Sequence, residues 1–487
     1  MKKKITALAA LLLLALPLSL AGCNDGGEPG GGSSEPEYVW TEGAGTLVDL
    51  SAMPDGTADS YAYLFEQYPL AVDDDYFGTY GGRDYQGQPD SVLLDNGNIL
   101  TVFPKGHGRG ETVMMISTDQ GKTYTDIFSA SNPKPASFYN TQETPTIYKL
   151  NFTDGTQKLI TVSARPGWVS SGRNGEGWDA AVSTSLDENG NCDGLVWSEH
   201  ENFFGPNAVR EEYYREKGDD YDAIVAMSSL TQLKDENGNY IDRWMATFHD
   251  YDFYVYKTFL TFNEDGQMEW SEPVRLLGQN GEYRQEEVNN GFCEAEVLRS
   301  PDGNELAILF RVNAKLSYSY VSFSTDEGET WSEPQTVSAE LTGERHKAAY
   351  DPVTGKLVIT MRNINYGDRK PSSGWSDSRP DASRGWVTWI GDYEDLHMGA
   401  DGHGDMLVKM AHTYGVDGTA ITEFANADTG YAGLVVYDDG LFVTAAYGTF
   451  SPADDPALGG KTYVTAKQFT VSDIAAMAGV TMRPAQK

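Results

Sequence analysis

From about Tyr38 onward, apolar residues gather in stretches of four to eight, rich in Val, Thr, Tyr and Phe and bounded by Gly, Asn or Asp. Stretches of that length and composition predict strands, and no long segment repeats its apolar positions with a helical period. Six dipeptides recur between the stretches: Asn96-Gly97, Asp154-Gly155, Asn237-Gly238, Asp302-Gly303, Thr354-Gly355 and Asp439-Gly440. All but Thr354-Gly355 are pairs that tolerate positive φ, so two-residue hairpin turns are expected there.

A second turn runs out of phase with the first. Ser117-Thr118-Asp119-Gln120-Gly121-Lys122-Thr123-Tyr124 and Ser324-Thr325-Asp326-Glu327-Gly328-Glu329-Thr330-Trp331 share the Asp-box pattern S-x-D-x-G-x-T-aromatic, with weaker echoes ending at Trp197 and Trp270. In such a turn the Asp accepts backbone N–H groups, the Gly takes the left-handed position, and the aromatic fills the space between adjacent sheets. The four aromatics are 73, 73 and 61 residues apart, the length of a four-stranded sheet with generous loops. The fold class expected is all-β: a six-bladed β-propeller of four-stranded antiparallel blades, with seven blades as the alternative. Strands from both ends, residues 45–50 and 463–471, are expected to close the ring.

The N-terminus has a different character. Lys2, Lys3 and Lys4 precede an apolar run over residues 5–20, too short to span a bilayer comfortably, and it ends in Leu20-Ala21-Gly22-Cys23. This end resembles the lipobox of bacterial lipoproteins. The resemblance implies a signal peptide over 1–22, lipid on Cys23, and a protein anchored at the bacterial cell envelope, exposed outside the cytoplasm. Residues 23–37 are Gly/Ser-rich and read as a flexible tether, leaving 38–487 as one propeller domain. The net charge of −36 argues against nucleic acid as a partner and for solubility. Membrane contact is expected through the lipid alone, and the protein is expected to be a monomer. Cys192 and Cys293 could pair in an oxidising compartment; no metal-ligand spacing is present, and no cofactor is expected.

Propellers place ligands where the inner strands converge, so candidate chemistry belongs at strand starts. Phe292-Cys293-Glu294-Ala295-Glu296-Val297 leads through the Asp302-Gly303 turn to Leu306-Ala307-Ile308-Leu309-Phe310-Arg311, which puts a permanent cation beside acids. A guanidinium grips a carboxylate with two parallel bonds, so the pairing suits an anionic sugar.

An acid, an Asp-Gly hairpin and a strand ending in Arg resemble the segment of sialidases that carries their catalytic Glu and one arginine of their carboxylate-binding triad. The resemblance implies Glu294 as that glutamate, with Glu296 next best, and Arg311 as that arginine. Gly430-Tyr431-Ala432-Gly433-Leu434 is similar to the segment holding the sialidase nucleophile, which implies that role for Tyr431. Such enzymes use tyrosine because the substrate is itself an anion and would repel a carboxylate.

Departures from the family lie in the first part of the chain. Where sialidases have an R-x-P strand, this chain has Gly87-Gln88-Pro89, with Arg83 the nearest arginine. The following loop, Pro104-Lys105-Gly106-His107-Gly108-Arg109-Gly110, lacks the family's Asp acid/base. His107 is the natural substitute, and Lys105 and Arg109 are candidate substrate contacts. The third arginine is Arg384 or Arg345, the latter beside His346. Together with the stretches at 104–108, 142–146, 294–303 and 341–346, these features resemble a divergent sialidase-like subgroup. His249-Asp250 is a further candidate pair, and the aromatic loop from Trp375 to Trp389 a candidate sugar platform.

Three functions follow: a glycoside hydrolase removing an acidic terminal sugar from extracellular glycans, a propeller polysaccharide lyase acting on uronates, and a non-catalytic glycan-binding surface lipoprotein. In each, the partner is a glycan or acidic oligosaccharide.

Overall fold

The computed structural model describes residues 44–164, 178–187, 190, 194–202, 229–249, 255–277, 292–312, 318–363, 385–414 and 429–485. Cys23, Cys192, Asp250, Trp375 and Arg384 lie outside the described residues. The strands group into six antiparallel blades around one axis, as the six turn dipeptides predict. The innermost strands, in blade order, are Asp90–Leu93, Gln142–Asn151, Ser229–Lys234, Phe292–Arg299, Glu344–Tyr350 and Gly430–Val436. Each pairs with the next strand in sequence through one of the six Asx-Gly or Thr-Gly turns.

Those turns differ from the two-residue form expected. In the first, Gly97 N–H bonds to Leu94 O at 2.9 Å and Leu94 N–H to Asn98 O at 2.9 Å, and only the glycine has positive φ. This is the three-residue form, a turn followed by a left-handed bulge. The Asx side chain, rather than adopting positive φ, braces the turn. Asn96 Oδ1 accepts the Asn98 N–H at 3.0 Å, as Asp439 Oδ1 accepts that of Leu441 at 3.1 Å.

Ring closure also differs from expectation. Tyr463–Phe469 lies in the sixth blade, but its outer partner is Tyr68–Pro69, antiparallel. Thr46–Asp49 instead joins the outer edge of the fifth blade, parallel to Met406–Lys409. The segment between these two N-terminal strands, with its 3-10 turn Asp59–Phe65, crosses from the fifth blade to the sixth.

Both Asp boxes form rim turns. Asp119 accepts from Ser117 Oγ, Lys122 N and Thr123 N at 2.8, 3.1 and 2.9 Å, and from Thr123 Oγ1 at 2.7 Å. Gln120 as well as Gly121 is left-handed, and a Cβ on Gly121 would lie 2.6 Å from Val443 in the neighbouring sixth blade. The aromatics pack between sheets: Tyr124 against the cluster of blades six and one, Trp331 against that of three and four. Trp197 and Trp270, from the echoes, serve the two interfaces between.

Candidate active site

Four of the innermost strands break register near their start, each with the same device. The ladder slips between Glu143 and Thr146, Cys293 and Glu296, Glu344 and Lys347, and Gly430 and Gly433. Within each slip one non-glycine residue is left-handed: Thr144, Glu294, Arg345 and Tyr431, with φ of 44°, 44°, 50° and 50°. Such a residue costs about 1–3 kcal/mol, and a bulge re-aims the side chain it carries. Four blades therefore present Thr, Glu, Arg and Tyr from equivalent positions. The residue facing the start of each slip on the second strand is Arg311 in blade four, Arg362 in blade five and Tyr447 in blade six.

These positions meet. Tyr431 Oη accepts from Arg311 Nη1 at 2.6 Å and donates to Glu294 Oε1 at 3.0 Å. Arg311 Nη1 also donates to Glu294 Oε2 at 2.7 Å, and its Nη2 lies 3.1 Å from Glu344 Oε1. Glu344 Oε2 is 3.4 Å from Arg362 Nε, and the Arg362 guanidinium stands 5.9 Å from the Tyr431 ring centroid and donates to Tyr447 Oη at 3.3 Å. All of blade four's and blade six's members here are buried, Tyr431 being 8% exposed. Burial raises the Tyr431 phenol well above its ordinary value, Arg311 opposing and Glu294 adding to the rise. Burial works against the Arg311 charge, but Glu294 and Glu344 outweigh it and hold the guanidinium protonated. The phenol is thus neutral at rest, with its proton facing a carboxylate that can take it and a cation beside its oxygen.

His249, on the second strand of blade three, supports Glu294: its Nδ1 accepts the Glu294 N–H at 3.3 Å. Burial, with Arg311 and Arg345 nearby, holds the imidazole neutral by pushing its pKa down to about 3. Two residues further along the strands, Lys347 Nζ lies 3.4 Å from Asp90 and 3.9 Å from Glu296, and 5.2 Å from the Tyr148 ring centroid. Burial pushes Glu296 up to about 7, Lys347 opposing and Asp90 adding. Asp90 and Glu296 in turn raise Lys347 above the ordinary lysine value despite its burial. This group draws its members from blades one, two, four and five.

The other sequence candidates fall as follows. His107 is half-buried, stacked on Tyr80 at 4.4 Å and edge-on to Tyr85 at 5.4 Å. Tyr85, Tyr447 and Tyr431 follow at 6.1 Å intervals, so two tyrosine rings separate His107 from the phenol. The loop carrying it is anchored: Gly108 N–H donates to Gln88 Oε1 at 2.8 Å and Gly108 O accepts the Thr144 N–H at 2.6 Å. A Cβ on Gly110 would fall 1.8 Å from Lys105 O, which makes the glycine obligatory there. The Lys105 ammonium is held by Glu111 at 2.9 Å. Arg109 pairs with Glu143 through its backbone. Arg83 lies 5.5 Å from the Tyr85 ring centroid. His346 is buried, bonded through Nε2 to Leu341 O at 2.8 Å, and burial takes its pKa down to about 4. Cys293 is a buried thiol 3.8 Å from Arg311 O. Trp386 and Trp389 are fully buried packing residues, with indole N–H groups on Thr360 and Glu340, so that part of the proposed sugar platform is core.

The sequence did not point to Arg362, Glu344 or the Asp90–Lys347 pair. Arg362 was findable: Leu357-Val358-Ile359-Thr360-Met361-Arg362 repeats the apolar strand ending in arginine that marks Arg311.

No family model matches the sequence, and no curated protein does. Solved structures are similar at low identity. A protein of unknown function from Dyadobacter fermentans is 15% identical over 83% of this chain and 97% of that one, with a TM-score of 0.47. A Hadza microbial sialidase is 14% identical over 83% and 68%, at 0.47. An α-L-arabinofuranosidase from Fusarium graminearum is 13% identical over 85% and 99%, at 0.47. Function is read from the hub's side chains.

Proposed function

We propose that the hub is the active centre of a sialidase-like glycoside hydrolase acting on an extracellular glycan, with Tyr431 as nucleophile. The carrying observation is the Tyr431 hydroxyl held between Arg311 Nη1 at 2.6 Å and Glu294 Oε1 at 3.0 Å. As the phenol oxygen bonds to the anomeric carbon, its proton passes to Glu294 and the adjacent guanidinium stabilises the charge building on the oxygen. The glycosidic bond breaks, and the leaving oxygen takes a proton from water, because two tyrosine rings separate His107 from the reacting carbon. Water then displaces the sugar from Tyr431, losing one proton to solvent, and Glu294 returns its proton to the departing phenolate oxygen.

Lipidation at Cys23 and a cell-envelope location belong to the same reading: an anchored enzyme meets its glycan outside the cell. A glycan-binding protein without turnover is the second reading, favoured by the full engagement of both Arg311 terminal nitrogens by protein groups. Residues 37–487 should be expressed and screened against aryl sialosides and uronosides, following free sugar and ultraviolet absorbance together. Turnover abolished by Tyr431→Phe supports the hydrolase; saturable binding unaffected by that change, with no turnover of any substrate, supports the binding protein. Absorbance gain without free reducing sugar would point to elimination instead.

A further inference from the structure

At the other end of the inner strands, blades two, three and four frame a pocket of about 710 Å³ whose lining includes Asn151, Phe152, Gln232, Tyr240 and Arg299. Asn151 and Arg299 end the strands that slip near Glu143 and Cys293, so the pocket lies about 20 Å along those strands from the bulges that carry the hub side chains. Tyr240 is 52% exposed, whereas the hub's Tyr431 and Tyr447 are buried, and Lys234 Nζ and Arg299 Cζ stand 5.1 and 5.8 Å from its ring centroid. Phe152 backs the pocket, set edge-on to Trp244 and Phe262 at 5.2 Å each. A large ring that is exposed yet held by cations on its flank is a surface built to be met by something else.

Two amides lie beside that ring, each pinned at one end. Gln232 Nε2 donates to Asn151 O at 2.7 Å and to Ile241 O at 3.1 Å, and Asn151 Oδ1 accepts from Gln157 Nε2 at 2.8 Å. Gln232 Oε1, Asn151 Nδ2 and Tyr240 Oη are left without a partner among the described residues. One acceptor, one donor and one hydroxyl that can be either complement the hydroxyls of a sugar. The charges, by contrast, are committed within the protein. Arg299 gives its two terminal nitrogens to Glu327 at 2.6 and 2.7 Å, Lys234 Nζ donates to Gly303 O at 2.9 Å, and Asp242 takes Thr153 N and Oγ1 at 2.7 and 2.9 Å.

We infer that this pocket is a second, non-catalytic sugar site that takes an uncharged unit of a glycan chain: the C–H face of the sugar ring stacks on Tyr240, and its hydroxyls meet Gln232 Oε1 and Asn151 Nδ2. The volume falls within the range of small-ligand sites, about 300–1,000 Å³. A unit seated there is too far from Tyr431 to react. Its effect is to hold the protein on a polymer, so that other units of the same chain reach the hub at a raised local concentration. That role rests on the reading of the hub as a glycoside hydrolase; the binding of the sugar does not.

The test is affinity electrophoresis of the full chain through gels containing galactan, arabinan, glucomannan or dextran, with polygalacturonate as the charged control. Tyr240→Ala, Gln232→Ala and Tyr431→Phe are run alongside, and the melting temperature of Tyr240→Ala, whose side chain is exposed, should match the wild type. Retardation of the wild type in at least one neutral gel is expected, with apparent affinity reduced at least about tenfold in Tyr240→Ala, about threefold in Gln232→Ala, and unchanged in Tyr431→Phe. No retardation in any neutral gel, equal retardation of Tyr240→Ala, or retardation by polygalacturonate alone would each overturn the inference. Loss of retardation in Tyr431→Phe would do the same, by placing the sugar at the hub. Self-association in sedimentation velocity that disappears in Tyr240→Ala would assign the ring to a protein contact instead. Retardation intact with no turnover of any substrate counts against the hydrolase reading alone.

Discussion

Among the described residues, left-handed residues that are not glycine occur in two regions, the rim and the hub, and the chain treats them differently. At the rim, Gln120 and Glu327 sit in Asp boxes whose aspartates are fully engaged: Asp326 alone takes Ser324 Oγ, Thr330 N and Thr330 Oγ1 at 2.8, 2.8 and 2.5 Å. At the hub, Thr144, Glu294, Arg345 and Tyr431 carry the same strain, yet the groups around them include the buried, unpartnered Arg311 Nε and Arg345 Nη1. Rim strain is offset locally by hydrogen bonds and makes a rigid corner. Hub strain is offset only by the surrounding ring, and what it yields is convergence of reactive side chains.

The sharpest way to break this contrast is Tyr431→Phe, which keeps the ring and loses the hydroxyl between Arg311 and Glu294. Turnover is predicted to fall by about 10³-fold or more with melting temperature nearly unchanged; retained activity in a steady-state assay would remove Tyr431 from the chemistry. Next is acid sensitivity. His249 binds its proton near 6.5 when unfolded but only at about 3 when folded, so the unfolded state holds more protons between those values. Stability from this group is complete above pH 6.5 and is lost as pH falls toward 3, at up to about 1.4 kcal/mol per pH unit. Denaturant titrations across that window should show a shallower loss in His249→Asn, and identical slopes would exclude His249 as the source. At the rim, Asp326→Ala removes three hydrogen bonds and is predicted to cost about 2 kcal/mol in chemical denaturation with KM unchanged; a changed KM would mean that the rim and hub are coupled. The smallest effect is Gln120→Gly, which relieves rim strain and should stabilise by about 0.5 kcal/mol or be neutral, again without touching activity.

The strand pattern and turn chemistry make the propeller legible, because blade count follows from six turn dipeptides and rim turns from a dense local motif. The turn subtype is not legible: the choice between two- and three-residue loops depends on strand register, which Asn96-Gly97 alone does not encode. Ring closure escapes the sequence for a similar reason, since Thr46–Asp49 and Tyr68–Pro69 are both short and only packing decides which edge each one takes. At the hub, Glu294, Arg311 and Tyr431 are recognisable in the sequence and lie in mutual contact. Glu344 and Lys347 are not, because nothing in Leu341-Thr342-Gly343-Glu344-Arg345-His346-Lys347 announces a register slip that turns these side chains toward the axis. His346, the more conspicuous residue of that stretch, belongs to the wall.

The clasp formed by Tyr68–Pro69 on the sixth blade joins residues nearly four hundred positions apart, and it is only two residues long. Fraying should begin at such an edge. The acid, guanidinium and phenol, however, come from blades four and six, which meet through the hub without crossing that seam. Transient unclasping can therefore loosen the outer margin while the reactive trio keeps its spacing, a form of damage tolerance that follows from where the circle was cut.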